Sequence, residues 1–143
     1  MTTLSLFKEK WMDHQQIREY LLSKPFTVES FPYGDGVSVF KVKHKMFATL
    51  TLGKMSKDDN ESVDTGNDIC WVNLKCDPQE ATMLRNTFPS VIPGYHMSKV
   101  HWNTVKLDGT VPEGEMRRMM DNSFNLVVSN MVTQDQQSIL LHL

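Results

Sequence analysis

The sequence predicts an α+β domain, an antiparallel sheet with helices packed on one face. Three observations carry that prediction. Helical spacing of apolar residues is confined to three stretches near residues 4–23, 78–87 and 112–131. Strand-like alternation fills residues 37–52, 69–76 and 102–107. The order is helix, three strands, helix, strand, helix, which fits a four-stranded or slightly larger sheet, not a parallel α/β repeat.

The first helix is predicted over residues 4–23. Phe7, Trp11, His14, Ile17 and Leu21 form one stripe, Thr3 is the expected N-cap, and Pro25 stops the chain. His14 is read as a packing residue. Residues 27–36 are read as a connector, with Phe31 and Tyr33 closing one end of the core. A hairpin follows, with strands at 37–43 and 46–52. A three-residue turn around His44 pairs Val42 with Met46 and Phe40 with Ala48, and sends Lys41, Phe47, Thr49 and Thr51 to the far face.

Residues 53–68 form an acidic loop carrying Asp58, Asp59, Glu61, Asp64 and Asp68. The third strand alternates Cys70, Val72, Leu74 and Cys76 against Trp71, Asn73 and Lys75. Asp77, Pro78 and Glu80 then supply an N-cap, a proline at N1 and an acid at N3, so a helix begins there and ends before Pro89. Pro93-Gly94 makes a turn. Tyr95, His96, Lys99, His101 and Trp102 crowd behind it, leading into the fourth strand. Pro112 opens the last long helix, lined by Met116, Met119, Met120, Ser123, Phe124, Val127, Val128 and Met131. The tail at 132–143 offers a short helix with Ile139, Leu140 and Leu141 as a docking patch.

The chain of 143 residues is read as one domain, and its 40% hydrophobic content is enough for a core without disulfides. No apolar run spans a membrane, and charged residues occupy the place of a signal sequence, so a cytoplasmic protein with two free thiols is expected. His96 and His101 match no metal spacing, and no cofactor loop or nucleophile motif is present. A non-enzymatic, cofactor-free protein is expected.

One face of the predicted strands gathers Lys41, Phe47, Thr49, Thr51, Trp71, Asn73, Lys75, Trp102, Thr104 and Lys106. The hairpin tip adds Lys43, His44 and Lys45, and the loop before the fourth strand adds His96, Lys99 and His101. Aromatic rings among lysines suit base stacking with phosphate contact. The same face suits a protein partner, and a third reading has Trp71 and Trp102 covered by the tail or the acidic loop and serving only to pack. A net charge of −2 argues against a strongly basic nucleic-acid binder but not against a local patch.

Several blocks carry a family resemblance. They are Glu29-Ser30-Phe31-Pro32-Tyr33-Gly34, Lys45-Met46-Phe47-Ala48, Ile92-Pro93-Gly94-Tyr95-His96-Met97 and His101-Trp102-Asn103-Thr104-Val105, with Leu107-Asp108-Gly109 behind them. With these the chain resembles the MmcQ/YjbR-like family of small bacterial proteins. The resemblance implies a fold similar to that of CyaY and frataxin, in a double-wing arrangement associated with DNA. It departs from the family pattern at Lys43-His44, where Gly is common, at Ser98, where Asn is common, and in its long acidic loop. The iron-handling role of CyaY-like proteins is disfavoured, because Glu9, Asp13 and Glu19 are offset by Lys8, Lys10, Arg18 and Lys24. The expectation is therefore a DNA-binding protein using Lys41, Lys43, Lys45, Trp71, Asn73, Lys75, His96, Lys99, His101, Trp102 and Lys106. A protein-interaction module on the same face is the alternative.

Overall fold

A computed structural model describes residues 10–53 and 69–143. The acidic loop and the first half of the expected N-terminal helix, with its Thr3 cap, lie outside the described residues. Among those described, the elements run α1 (His14–Leu22), β1 (Thr27–Ser30), β2 (Val37–Val42), β3 (Lys45–Gly53), β4 (Ile69–Lys75), α2 (Pro78–Thr87), β5 (Val91–Pro93), β6 (Trp102–Lys106), α3 (Glu113–Ser129) and α4 (Thr133–Leu140). The strands form one antiparallel sheet of six in the order β1-β2-β3-β4-β6-β5.

The sheet has six strands where four were read, and both additions are edges. β1 pairs Thr27 with Val42 and Ser30 with Val39. It hides in the sequence because it is short and leads directly into the Phe31-Pro32 turn chemistry. β5 spans three residues and ends in Pro93, which an edge strand tolerates because its missing N–H faces no neighbour. Phe31 and Tyr33 do not close the core: they are 50% and 76% exposed.

α1 begins later than its apolar stripe suggested. Asp13 accepts from the Gln16 N–H at 2.9 Å, and the Gln16 side chain accepts from the Asp13 N–H at 3.0 Å. This reciprocal cap starts the helix at His14 and leaves Trp11 outside it. α2 starts where Asp77 predicted, with Asp77 accepting from the Gln79 and Glu80 N–H groups. Glu80 does not close that box, because it accepts instead from Arg118 and Asn122.

The hairpin departs most from the alternation. Lys43 and His44 both take positive φ, 45° and 72°, so the turn has two residues and not three. Val42 then pairs with Lys45 and Lys41 with Met46, while Phe40 still pairs with Ala48. Phe47 is the extra residue of a β-bulge. The bulge turns its ring into the core, edge-on to Phe124 at 5.2 Å, and leaves Met46 on the far face. The expected placement of Phe47 on that face is thus corrected. A bulge also breaks the ladder. The hydroxyl of Ser123 on α3 accepts from the Lys75 N–H at 2.8 Å and donates to the Phe47 carbonyl at 2.5 Å. It stands in the gap the bulge leaves between β3 and β4.

The core lies between the sheet and α1, α2 and α3, with Phe40, Leu50, Val72, Met116, Met120 and Phe124 buried together. Of the expected tail patch, Ile139 is fully buried, but Leu140 and Leu141 are exposed. No helix among the described residues is long and apolar enough to cross a membrane.

Candidate functional site on the second sheet face

The strand registers lay out the face that α1–α3 do not cover. A central row joins Val39, Thr49, Asn73, Thr104 and Ile92 across five strands. On one side of it lie Val37, Thr51, Trp71 and Lys106. On the other, nearer the hairpin turn, lie Lys41, Met46, Lys75 and Trp102. The strand residues on this face include three lysines and no Asp or Glu. Glu29, the carboxylate of β1, points to the helical side, where it pairs with Arg18 on α1.

The middle of the row is a buried polar seam. The Asn73 amide donates to the Thr49 hydroxyl at 3.0 Å, the Thr104 hydroxyl donates to the Asn73 carbonyl oxygen, and the Tyr95 N–H donates to Thr104 Oγ1 at 2.7 Å. The last bond folds the segment after β5 back over the sheet. Tyr95 is thereby buried edge-on to Trp71, with ring centroids 5.5 Å apart.

Local geometry fixes that segment. A Cβ on Gly94 would stand 2.9 Å from the Cβ atoms of Met97 and Trp102, so only glycine fits. The Gly94 N–H donates to the Trp102 carbonyl at 2.9 Å, and the Trp102 N–H donates to the Ser98 carbonyl at 3.0 Å. Arg85 on α2 ties the loop from the helical side, donating to Asn103 Oδ1 at 2.7 Å and to the Lys99 carbonyl. His96 sits at φ 58°, with its ring 4.3 Å from that of Tyr95.

Between this loop and the 31–36 loop lies a groove of about 390 Å³. Thr49, Thr51, Asn73 and Trp71 line it, with Met46 at the hairpin end, Tyr33 from one loop and Tyr95, His96 and Met97 from the other. That is room for a small ligand or one segment of a larger one. By contrast, the cavity bordered by Cys76, Leu84 and Met119 measures about 10 Å³, space for a single water at most.

The expected site residues divide. Lys41, Trp71, Asn73, Lys75, Trp102 and Lys106 share the groove face, as expected. The two indoles are not open stacking platforms, however: Trp71 is 5% and Trp102 9% exposed. The loop after β5 covers this part of the sheet, which alternation along a strand does not reveal. Lys45 pairs with Val42 and belongs to the helical side. Lys43 is engaged there too, with its ammonium 3.7 Å from Asp135, 3.2 Å from the Ser138 hydroxyl and over the Phe26 ring. Lys99 donates to the Gly94 carbonyl at 2.9 Å and so staples its own loop. His96 and His101 are exposed, and no cluster of three metal-ligating side chains occurs among the described residues.

Sequence reading missed Tyr33, Met46, Met97 and the supporting Arg85. The usable signal was Pro32-Tyr33-Gly34, an aromatic residue presented by a turn. The groove brings together hydroxyls, an amide, aromatic edges, thioethers and the His96 imidazole, which offer both apolar and hydrogen-bonding contact to a ligand. On the helical side, burial, then the carboxylates of Glu80 and Asp77, push the Cys76 thiol up to about 11 and keep it un-ionised.

A family model described as YjbR matches residues 22–126. The Bacillus subtilis protein YyaQ is 42% identical over 118 residues, covering 80% of this chain and 98% of its own. YbdF of Escherichia coli O157:H7 is 31% identical over 126 residues, covering 88% and 93%. Among solved structures, the Deinococcus radiodurans protein DR2400, described as a DUF419 domain, superposes with TM-score 0.71 at 28% identity, covering 92% of this chain and 88% of its own. A Pseudomonas syringae protein also gives 0.71 at 27% identity, covering 81% and 99%.

Proposed function

The chain belongs to the YjbR family, and from that premise we propose that it is a non-enzymatic nucleic-acid-binding protein whose contact surface is the groove face of the sheet. The observation that carries this reading is the charge of that face: its strand residues include Lys41, Lys75 and Lys106 and no carboxylate. Such a face attracts a polyanion even though the whole chain has net charge −2. Phosphate contact falls to Lys41, which is exposed, and Lys75, which is half-buried. His96 and His101 are exposed in the loop beside it. Lys43 and Lys45, on the helical side, take a lesser part. The CyaY-like, double-wing arrangement that the resemblance implies belongs to this proposal, as does a cytoplasmic location.

Fluorescence anisotropy with single-stranded and duplex DNA across a salt series tests it. Binding should weaken steeply with salt and be lost in Lys41→Glu, Lys75→Glu. Lys10→Glu, away from this face, should leave it intact. Absence of binding at low salt and micromolar protein would sink the proposal.

A second reading, a protein-interaction module, draws on the β1 edge next to the groove. Val28 and Phe31 there are 65% and 50% exposed, and an open edge accepts an added strand. A partner captured by the wild type and lost in Val28→Lys would favour it.

A further inference from the structure

We infer that the groove takes one unstacked base of a single-stranded nucleic acid, with the ring of Tyr33 as its stacking face. The inference rests on the nucleic-acid reading above and narrows it to strand type and to a contact residue.

Tyr33 is the starting point. It is 76% exposed yet lines the groove. Its turn is built: Gly34 takes φ 111°, the Gly34 N–H donates to the Phe31 carbonyl at 3.3 Å and the Val37 N–H donates to the Gly34 carbonyl at 3.3 Å. A ring held at a groove wall and left open to water contributes little to folding, and it offers a flat π surface to a ligand. Trp71 and Tyr95 cannot serve that way, because both are buried and engaged edge-on with each other.

The shape selects the strand type. The floor lies on the sheet between the Tyr33 turn and the His96–Met97 lip. Bases of a duplex are paired and stacked inside the helix, with the backbones outermost, so a walled groove admits them only after unpairing. A volume of about 390 Å³ holds one base with its sugar, not a base-paired stack. The floor offers Met46 for apolar contact and the half-buried Thr51 hydroxyl for hydrogen bonding. Lys41, paired with Met46 at one end of the groove, matches a phosphate beside the seated base.

The test compares a short oligodeoxyuridylate, the matching oligouridylate, a duplex and polyglutamate, each titrated by anisotropy against wild type, Tyr33→Ala and Tyr33→Trp. Tyr33 is exposed, so neither change threatens the fold. Single strands should bind more tightly than duplex. Tyr33→Ala should weaken them on the order of tenfold, and Tyr33→Trp should restore them. Either oligomer behaving so supports the proposal, and the tighter one identifies the sugar. Two results overturn the inference while leaving the nucleic-acid reading standing. One is Tyr33→Ala without effect on strands that Lys41→Glu still abolishes; the other is duplex bound as tightly as single strands. Polyglutamate bound as tightly as the oligonucleotides would overturn it in favour of an acidic peptide. No binding to any nucleic acid removes both readings.

Discussion

Glu29 on β1 and Arg18 on α1 form a two-pronged pair, with Arg18 Nη2 2.6 Å from Oε1 and Nε 3.0 Å from Oε2. The Arg18 hydrogen bonds hold the Glu29 carboxyl below its usual range. Burial opposes them, and the Ser38 hydroxyl assists. The folded pKa is thus lower than the unfolded one. The pair's contribution is complete above the unfolded carboxylate range and disappears as pH falls through the folded value. Glu29→Gln should therefore lower the urea midpoint near neutral pH, and the two proteins should converge in acid. A constant gap from neutral pH into acid would show that ionisation of Glu29 does not matter. The pair also explains how β1, an edge strand of four residues, is anchored to the layer of helices.

At the scale of elements, the β2–β3 hairpin separates what sequence reveals from what it conceals. The α2 start was legible because Asp77-Pro78 is a local signal whose partners are two and three residues away. The hairpin was misread because its register depends on two residues with positive φ, Lys43 and His44, in a turn without glycine. A bulge then exchanges the roles of Met46 and Phe47, and Ser123, 76 residues away in sequence, satisfies the opened ladder. No pattern within the hairpin announces that hydroxyl. The exchange has a measurable consequence. Phe47→Ala should cost about 3–5 kcal/mol in urea unfolding, as for a fully buried aromatic. Met46→Ala, at the groove, should cost less than about 1 kcal/mol. The reverse order would mean that Met46 and not Phe47 is the core residue.

At the scale of the whole molecule, the layer order was legible because helical and alternating periods are properties of contiguous segments. The cover over the groove was not. Tyr95 reaches Thr104 through a loop whose course is set by Gly94 packing against Trp102 and by Arg85 bonding from another element. Lys41, Trp71, Asn73, Lys75, Trp102 and Lys106 share one face, but Phe47 and Lys45 do not join them, the indoles are buried, and Tyr33, read as core, is exposed. Charge obeys the same separation of scales. The chain is net negative, but the groove-face residues of the strands include lysines and no carboxylate, so the charge of that surface differs from the sum. Salt dependence reads that local field directly. For a bound single strand, log K should fall linearly with log salt, losing roughly 0.7 of slope for each phosphate contact removed. Lys41→Gln with Lys75→Gln should therefore flatten the slope by about 1.4, while Lys10→Gln leaves it unchanged. A double variant that weakens binding with an unaltered slope would place the phosphates elsewhere, and the groove lysines would then act only through the shape of the sheet.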